Sequence, residues 1–402
     1  MNEKLSLRLA FLIDSLTNLG GYQVFTNNLV LRLLDRGHAI TVYVFPSKYR
    51  KHRNYYNSLP YQVLPATFCS RPLIRHAPFL PQAMLLREQL RHGYDLWQTI
   101  GAYPPAYLTS MLLGRVPVAV RCYGQDIQID HELGYGERLD PRIDARVRQT
   151  LPRLDRLVAI SPTVAEEFRG LDIPEDKVRI IPNGVEINAT APDVSTLNSL
   201  RAELNLGTDT FVLLTVGRNH PKKNFKVIPG IAHLLRQAGL DFVWLLVGPD
   251  MEKLADEIKR LGLDDRFKLL GVVQPEISEA GKNFSNPRMD TLYQLADAFI
   301  FPTKLETQGR VIIEALANSL PVVTTPAPGS RDIIVDNMNG LVCDPDDIDC
   351  FARKILLLTN NNDLRNSLTQ SGLLEARKYS WPTIVAAYEN MYFDAVEASR
   401  KR

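Results

Sequence analysis

Short apolar runs alternate with longer amphipathic stretches along this chain, and the rhythm plays through twice. Leu7 to Ile13 is a nearly continuous apolar run that predicts a buried strand, followed by a loop holding Gly20-Gly21. Leu29, Leu33 and Leu34 then recur at helical spacing until Arg36-Gly37-His38, where the glycine stops the helix, and Ala39 to Phe45 predicts a second strand. That is one βαβ unit. Further strand candidates are Asp95 to Thr99, Val116 to Val120, Arg156 to Ile160 and Lys177 to Ile181. The second half restarts with Thr210 to Val216, closing on Gly217. It continues through Phe242 to Val247, Phe267 to Leu270, Ala298 to Phe301 and Val322 to Thr324, with helix-like segments between. Strands alternating with helices imply parallel sheets covered on both faces. Glu186 to Asn205 is polar and without strong periodicity, the natural linker. The expected fold class is α/β, two doubly wound domains facing across a cleft, with ligands at the C-terminal ends of the strands.

Composition narrows the function classes. A length of 402 residues suits about two domains, and 45% hydrophobic with 23% charged residues is ordinary for a globular protein. Lys plus Arg total 47 against 45 for Asp plus Glu, so charge gives no argument for nucleic acid, and there is no zinc or helix-turn-helix pattern. Cys69, Cys122, Cys343 and Cys350 lack metal-ligand spacing. Cys343 and Cys350 are able to pair in principle, but reduced, partly buried thiols are the expectation. Met1 to Ala10 lacks the apolar core of a signal peptide, and no run approaches the roughly 20 residues that span a bilayer. A cytoplasmic protein is expected.

The candidate chemistry sits where strands end. Glu306 follows the run Ala298-Phe299-Ile300-Phe301, and Glu314 lies eight positions on, inside a segment of helical composition from about Gly309 to Ala317. The N–H groups around Gly309, Arg310 and Val311 would turn the positive end of the helix dipole toward a phosphate. Two carboxylates beside a phosphate site suit a ligand carrying both hydroxyls and phosphates, such as a sugar nucleotide. Gly217-Arg218 and Lys223 follow the first strand of the second half, where two cations can neutralise a diphosphate. Gly20-Gly21 allows close backbone approach but lacks the spacing of a dinucleotide fingerprint, and there is no P-loop. Asp126, after Val116 to Val120, is expected to project into the cleft, although a lone Asp serves equally as a turn former or cap. Ser161 before Pro162 reads as a helix N-cap rather than a catalytic group.

Together these pieces resemble a retaining glycosyltransferase of the GT-B fold, in family 4 (glycosyl transferases group 1). The resemblance spans nearly the whole chain. It rests on Glu306 to Glu314 with Ala315-Leu316-Ala317, on Gly329, Asp332-Ile333-Ile334 and Asn339-Gly340-Leu341-Val342, and on Val216-Gly217-Arg218 with Lys223-Asn224-Phe225. Ile160-Ser161-Pro162, Ile181-Pro182-Asn183-Gly184-Val185, Gly20-Gly21 and Tyr379-Ser380-Trp381 extend it. It implies an N-terminal acceptor-binding Rossmann-like domain over 1–188 and a donor-binding one over 189–380, with a last helix at about 381–402 packing back on the first. It further implies catalytic roles for Arg218, Lys223, Glu306 and Asp126. Donor binding would fall to Gly20, Gly21, Arg218, Lys223, Glu306, Gly309, Arg310, Val311 and Glu314. In that reading Arg218 and Lys223 hold the diphosphate, Glu306 the transferred sugar and Glu314 the ribose. No metal and no cofactor are implied; the nucleotide-sugar, a UDP-sugar or GDP-mannose, is a co-substrate. The acceptor would be a glycan, lipid-linked or small molecule, as in polysaccharide or glycolipid assembly.

The chain departs from that family in three places. Tyr123 stands where many relatives have a histidine, Gln308 replaces a more usual aromatic residue, and Gln274 to Met289 is longer than usual, a surface loop by preference. Arg71, Arg75, His76, Arg87, Arg91 and His92 lie among Leu73, Ile74, Phe79, Leu80, Met84, Leu85 and Leu86, a basic amphipathic stretch suited to peripheral contact with the inner face of an anionic membrane. Pro78 and Pro81 interrupt its period, so an ordinary helix with a buried apolar face is preferred. A GT-B sugar-nucleotide epimerase and a non-catalytic sugar-nucleotide-binding protein are the rival readings.

Overall fold

The apolar runs become the strands of two all-parallel sheets in the computed structural model, which describes residues 6–17, 20–69, 79–187, 193–273, 276–277 and 284–401. The first sheet comprises β1 (Arg8–Ile13), β2 (Ala39–Val44), β3 (Gln62–Pro65), β4 (Leu96–Ile100), β5 (Val118–Arg121), β6 (Arg156–Ala159) and β7 (Val178–Ile180). Their order is β3-β2-β1-β4-β5-β6-β7. The second comprises β8 (Phe211–Val216), β9 (Phe242–Val247), β10 (Phe267–Gly271), β13 (Ala298–Ile300), β14 (Val322–Thr324) and β15 (Leu341–Val342), in the order β10-β9-β8-β13-β14-β15. Between β10 and β13 in the chain, β11 (Glu276–Ile277) and β12 (Phe284–Ser285) pair antiparallel. In each large sheet the winding direction reverses once, between β1 and β4 and between β8 and β13. Ligands of doubly wound sheets gather at such reversals.

By packing, the chain divides into Met1–Pro182 with Pro275–Ser285 and Ile384–Arg402, and Asn183–Gln274 with Asn286–Thr383. The helix Trp381–Arg400 therefore belongs mostly to the first unit. Its anchors there are specific. Arg121 Nη1 donates to Tyr388 Oη at 2.8 Å and to the Ile181 carbonyl at 2.9 Å, and its guanidinium lies 3.8 Å from the centre of the Phe25 ring. Tyr392 Oη donates to Gln98 at 3.0 Å. Glu389 meets Arg36 at 2.7 Å and His38 Nε2 at 3.1 Å. His38 Nδ1 accepts from the Leu7 amide at 3.1 Å, so Nε2 carries the proton and donates to Glu389. Arg36-Gly37-His38 thus stops the first helix and docks the last one.

Several expectations are corrected. Glu186 to Asn205 is not free of regular structure: Val194–Glu203 is a helix, capped by the Asp193 carboxylate, which accepts from the Ser195 and Thr196 amides at 3.2 Å. It buries only Leu200, which is why no apolar period marks it. Cys343 and Cys350 form a disulfide rather than two thiols. Cys343 follows β15 and Cys350 lies in the first turn of the helix Ile348–Asn360, bringing their Cα atoms to 5.8 Å. Pro81 falls near the start of the helix Phe79–His92 and does not break it. Leu85 of that helix is buried, Glu88 accepts from Tyr43 Oη at 3.0 Å, and Gln89 accepts from Trp97 Nε1 at 2.7 Å. Arg71, Leu73, Ile74, Arg75, His76 and Pro78 lie outside the described residues. No helix among the described residues is long and apolar enough to cross a membrane. In the stretch Gln274 to Met289, the pair β11–β12 and an Asn286 cap on the helix Pro287–Leu295 stand where a loop was expected; 274–275 and 278–283 lie outside the described residues.

Candidate active site

In the second unit the key loops follow β8 and β13, the two strands flanking the reversal. Three donors converge on the carbonyl of Lys222: the Lys304 amide at 2.7 Å, the Leu305 amide at 3.2 Å and Thr303 Oγ1 at 2.9 Å. Asn224, in the left-handed region with φ 56°, donates to the Pro345 carbonyl at 2.7 Å and to Asp346 at 3.1 Å. The loop between these anchors is therefore fixed, and it delivers Lys223 against Glu306. The two side chains form an ion pair with 15% and 9% of their surface exposed, and Lys223 Nζ also lies 4.9 Å from the centre of the Phe301 ring. Burial, helped by the charge of Lys222, pushes the Lys223 ammonium well below its ordinary value. The facing carboxylate acts in the opposite sense. Arg218 is exposed, and together with Lys222 and Lys223 it adds to the burial that lowers the His220 imidazole.

The turn carrying Glu306 is held from behind. Its amide donates to the Pro328 carbonyl at 3.0 Å. Gly329 has φ +80°, and a Cβ there would lie 2.7 Å from the Glu306 carbonyl oxygen and 2.9 Å from its Cβ. Only glycine satisfies both the backbone angle and the space. Gly329→Ala is expected to displace Glu306, costing about 1–3 kcal/mol in stability and most of the activity; a thermal melt and a turnover assay check both. Gln308, the departure from the family pattern, is buried, and its Oε1 accepts from the Asn183 amide at 2.9 Å and from the Asn183 side chain. Gly309, at φ 78°, opens the helix Arg310–Ala317. The amides of its first turn, Arg310 and Val311 included, point toward that opening. On the same helix Glu314 accepts from Arg310 Nε at 2.7 Å and from the buried Tyr293 hydroxyl at 3.1 Å.

In the first unit Gly20 is the N-cap and Gly21 the first residue of the helix Gly21–Asp35. A side chain at Gly20 would meet Gln23 Oε1 at 2.7 Å, whereas one at Gly21 would enter open space. Asp126 does not project: it is 1% exposed and accepts from the amides of Ala102 at 3.0 Å, Tyr123 at 3.0 Å and Gly124 at 2.9 Å. A carboxylate with three backbone donors ties the loops after β4 and β5 together, the turn-forming role. Tyr123 stacks on Tyr22 with ring centres 4.2 Å apart and planes within 9°, and Tyr22 Oη donates to Asp14 at 3.1 Å. Burial raises Asp14, Tyr22 and Tyr123 alike. Glu137 rises to about 7, through burial and then the charges of Asp126 and Asp14. Sequence reasoning missed Tyr22, Asp14, Glu137, Thr303 and Tyr293. Asp14 and Thr303 do leave a signal, since each lies just beyond a strand flanking a reversal.

Comparison with known proteins bears on the family and the fold. The model of the family Glycosyltransferase Family 4 matches residues 19–189, and that of Glycosyl transferases group 1 matches residues 198–375. The N-acetyl-alpha-D-glucosaminyl L-malate synthase of Bacillus anthracis is 21% identical over 398 residues, 97% of this chain and 98% of the relative. D-inositol 3-phosphate glycosyltransferase 1 of Catenulispora acidiphila is 26% identical over 358 residues, 83% of this chain and 84% of the relative. HepE from Anabaena, solved in complex with UDP and glucose, superposes with a TM-score of 0.74 at 20% identity, covering 96% of this chain and 100% of its own. With two Rossmann-like parallel-sheet units and both family patterns in their proper order, the chain belongs to the group 1, family 4 glycosyltransferases of GT-B fold.

Proposed function

We propose that this glycosyltransferase moves a hexose-type sugar, with retention at the anomeric carbon, from a nucleotide-sugar held by its second unit to a hydroxyl of a glycan, lipid-linked or small-molecule acceptor. The observation that carries the reading is the Lys223–Glu306 pair at the reversal of the second sheet, one turn ahead of the helix bearing Glu314. As the bond from the anomeric carbon to the diphosphate breaks, negative charge grows on the leaving phosphate. Lys223 is a fixed cation for that charge and the exposed Arg218 a second one on the same loop, which lowers the barrier. Glu306 accepts from hydroxyls of the transferred sugar, the amides at Gly309, Arg310 and Val311 face its phosphates, and Glu314 accepts from the ribose. The acceptor oxygen bonds to the anomeric carbon on the face the diphosphate leaves, and its proton passes to the departing phosphate oxygen. Gly21, with open space over it, supplies phosphate-approachable backbone in the first unit, whereas Gly20 is covered by Gln23, and Asp126 positions the Tyr123-Gly124 turn without touching substrate. The chain's own cations, with no resident cofactor or metal, supply the charge compensation.

The complex of HepE with UDP and glucose favours a UDP-sugar over GDP-mannose as the first donor to test. Thermal melts against UDP-, GDP- and ADP-sugars are expected to show stabilisation by one nucleotide class, lost in Glu314→Ala. Absence of a shift with every donor, coupled with no nucleoside diphosphate release in any acceptor mixture, would sink the reading. One observation favours a binding-only protein: Tyr123, stacked on Tyr22 and raised by burial, is neutral and offers no cationic hydrogen bond. Catalytic release of nucleoside diphosphate decides against that alternative.

A further inference from the structure

The first unit carries a concavity of about 500 Å³, lined by Tyr103, Arg142, Ile143, Ala145, Arg146 and Gln149. That volume lies within the usual range for small-molecule sites. Ile143 and Ala145 give it apolar surface, and two exposed arginines line it as well. Both come from the helix Pro141–Thr150, four residues apart and therefore on one face. Like charges at that spacing oppose the helix, and a cation in its first turn opposes the dipole. Neighbouring acids offset them only weakly, Arg142 through a long, exposed ion pair with Asp140. Asp140 is the N-cap, accepting from the Arg142 amide at 2.8 Å, and its nearest approach to the exposed Arg142 side chain is 3.7 Å. Asp144, the acid within the helix, is occupied by Arg138 at 2.8 Å and Arg148 at 2.7 Å. Arg146 instead rests with its guanidinium 5.0 Å from the centre of the Tyr107 ring, held in place by an aromatic face rather than by an anion. The concavity adjoins the strand-end loops, because Tyr103 follows Ala102, whose amide is bonded to Asp126 at 3.0 Å.

We propose that this concavity binds the phosphate monoester of an anionic acceptor, Arg142 and Arg146 gripping the phosphate while Tyr103, Ile143 and Ala145 take the carbon skeleton. Two guanidiniums on one helix face match the oxygens of a phosphate, which a neutral hydroxyl compound cannot exploit. The inference rests on the transferase reading only in taking the ligand to be the acceptor.

The test is calorimetric titration of the intact chain with glucose 6-phosphate, glycerol 3-phosphate, glucose and glycerol, and flotation with phosphatidylcholine vesicles lacking or containing phosphatidic acid. Binding of a soluble phosphate but not its neutral counterpart, weakened at least about tenfold in Arg142→Gln/Arg146→Gln and unchanged in Arg148→Gln, is the expected result. Binding only to phosphatidic acid vesicles, with the same dependence on Arg142 and Arg146, assigns the phosphate to a lipid headgroup and also supports the site. No binding, or binding equal in wild type and double variant, overturns it. A nucleotide-sugar titration of the same preparations separates the two ideas. Donor binding without phosphate binding defeats this inference alone, and phosphate binding without any donor defeats the proposed function alone.

Discussion

Lys223→Ala is expected to lower turnover by about a thousandfold, at the upper end for loss of a single group that stabilises transition-state charge. The complication is structural: Glu306 would be left in a nearly buried place without its cation, and breaking a buried pair costs about 3–5 kcal/mol in stability. The double variant Lys223→Met/Glu306→Gln separates the effects, since it removes both charges while keeping similar shapes. It should melt close to wild type and remain inactive. Recovery of activity in the double variant, or near-normal turnover in Lys223→Ala, would refute a role for the ammonium in leaving-group stabilisation. The pH dependence gives a second reading. Burial, then Lys222, pushes the Lys223 ammonium down, so the charged form is lost as pH rises through that lowered value. The alkaline limb of turnover should therefore lie below the ordinary lysine value of about 10.4. In Lys223→Arg any remaining activity should lack that limb, because a guanidinium does not deprotonate in the range.

How far this site is legible in the chain follows from which forces are local. Strand-length apolar runs announce β1, β8, β9 and β13 because a parallel strand buried on both faces has little room for polar residues. The polar residues just beyond them stand out by contrast, which is how Arg218 and Glu306 are found. The edge strand β3 escapes because Gln62-Val63-Leu64-Pro65 is short and ends in proline, and β15 because two residues carry no period. The Val194–Glu203 helix escapes because it buries one leucine. Asp126 shows the limit most clearly. Its place after a strand is readable, but its three backbone donors come from two loops that are distant in sequence, so only the structure tells a projecting acid from a structural one. The Cys343–Cys350 bond is similar: seven residues of spacing permit it, and the meeting of β15 with the next helix decides it. Gln308 is visible as a departure, yet its contact with Asn183 spans 125 positions.

Glu314→Ala is expected to raise the donor KM by about a hundredfold while changing kcat little. A charge-assisted hydrogen bond contributes about 1.5–3 kcal/mol, and a factor of ten corresponds to about 1.4 kcal/mol, so loss of one or two bonds to the ribose gives that scale. In the chain alone, Glu314 already accepts from Arg310 at 2.7 Å and Tyr293 at 3.1 Å, one on each oxygen. Each carboxylate oxygen has a second lone pair, so ribose hydroxyls add to these bonds instead of replacing them. Removing Glu314 also leaves the buried Tyr293 hydroxyl without this acceptor and takes one partner from Arg310, at a stability cost of about 1–3 kcal/mol. Tyr293→Phe controls for that loss: it removes the hydroxyl and should keep donor affinity. Donors lacking the ribose 2′- and 3′-hydroxyls make the assignment direct. Wild type should bind them about as weakly as Glu314→Ala binds the natural donor, and the variant should no longer distinguish the two. If Glu314→Ala still discriminates against the deoxygenated donor as strongly as wild type does, Glu314 does not read the ribose, and its partners Arg310 and Tyr293 account for its place on the helix.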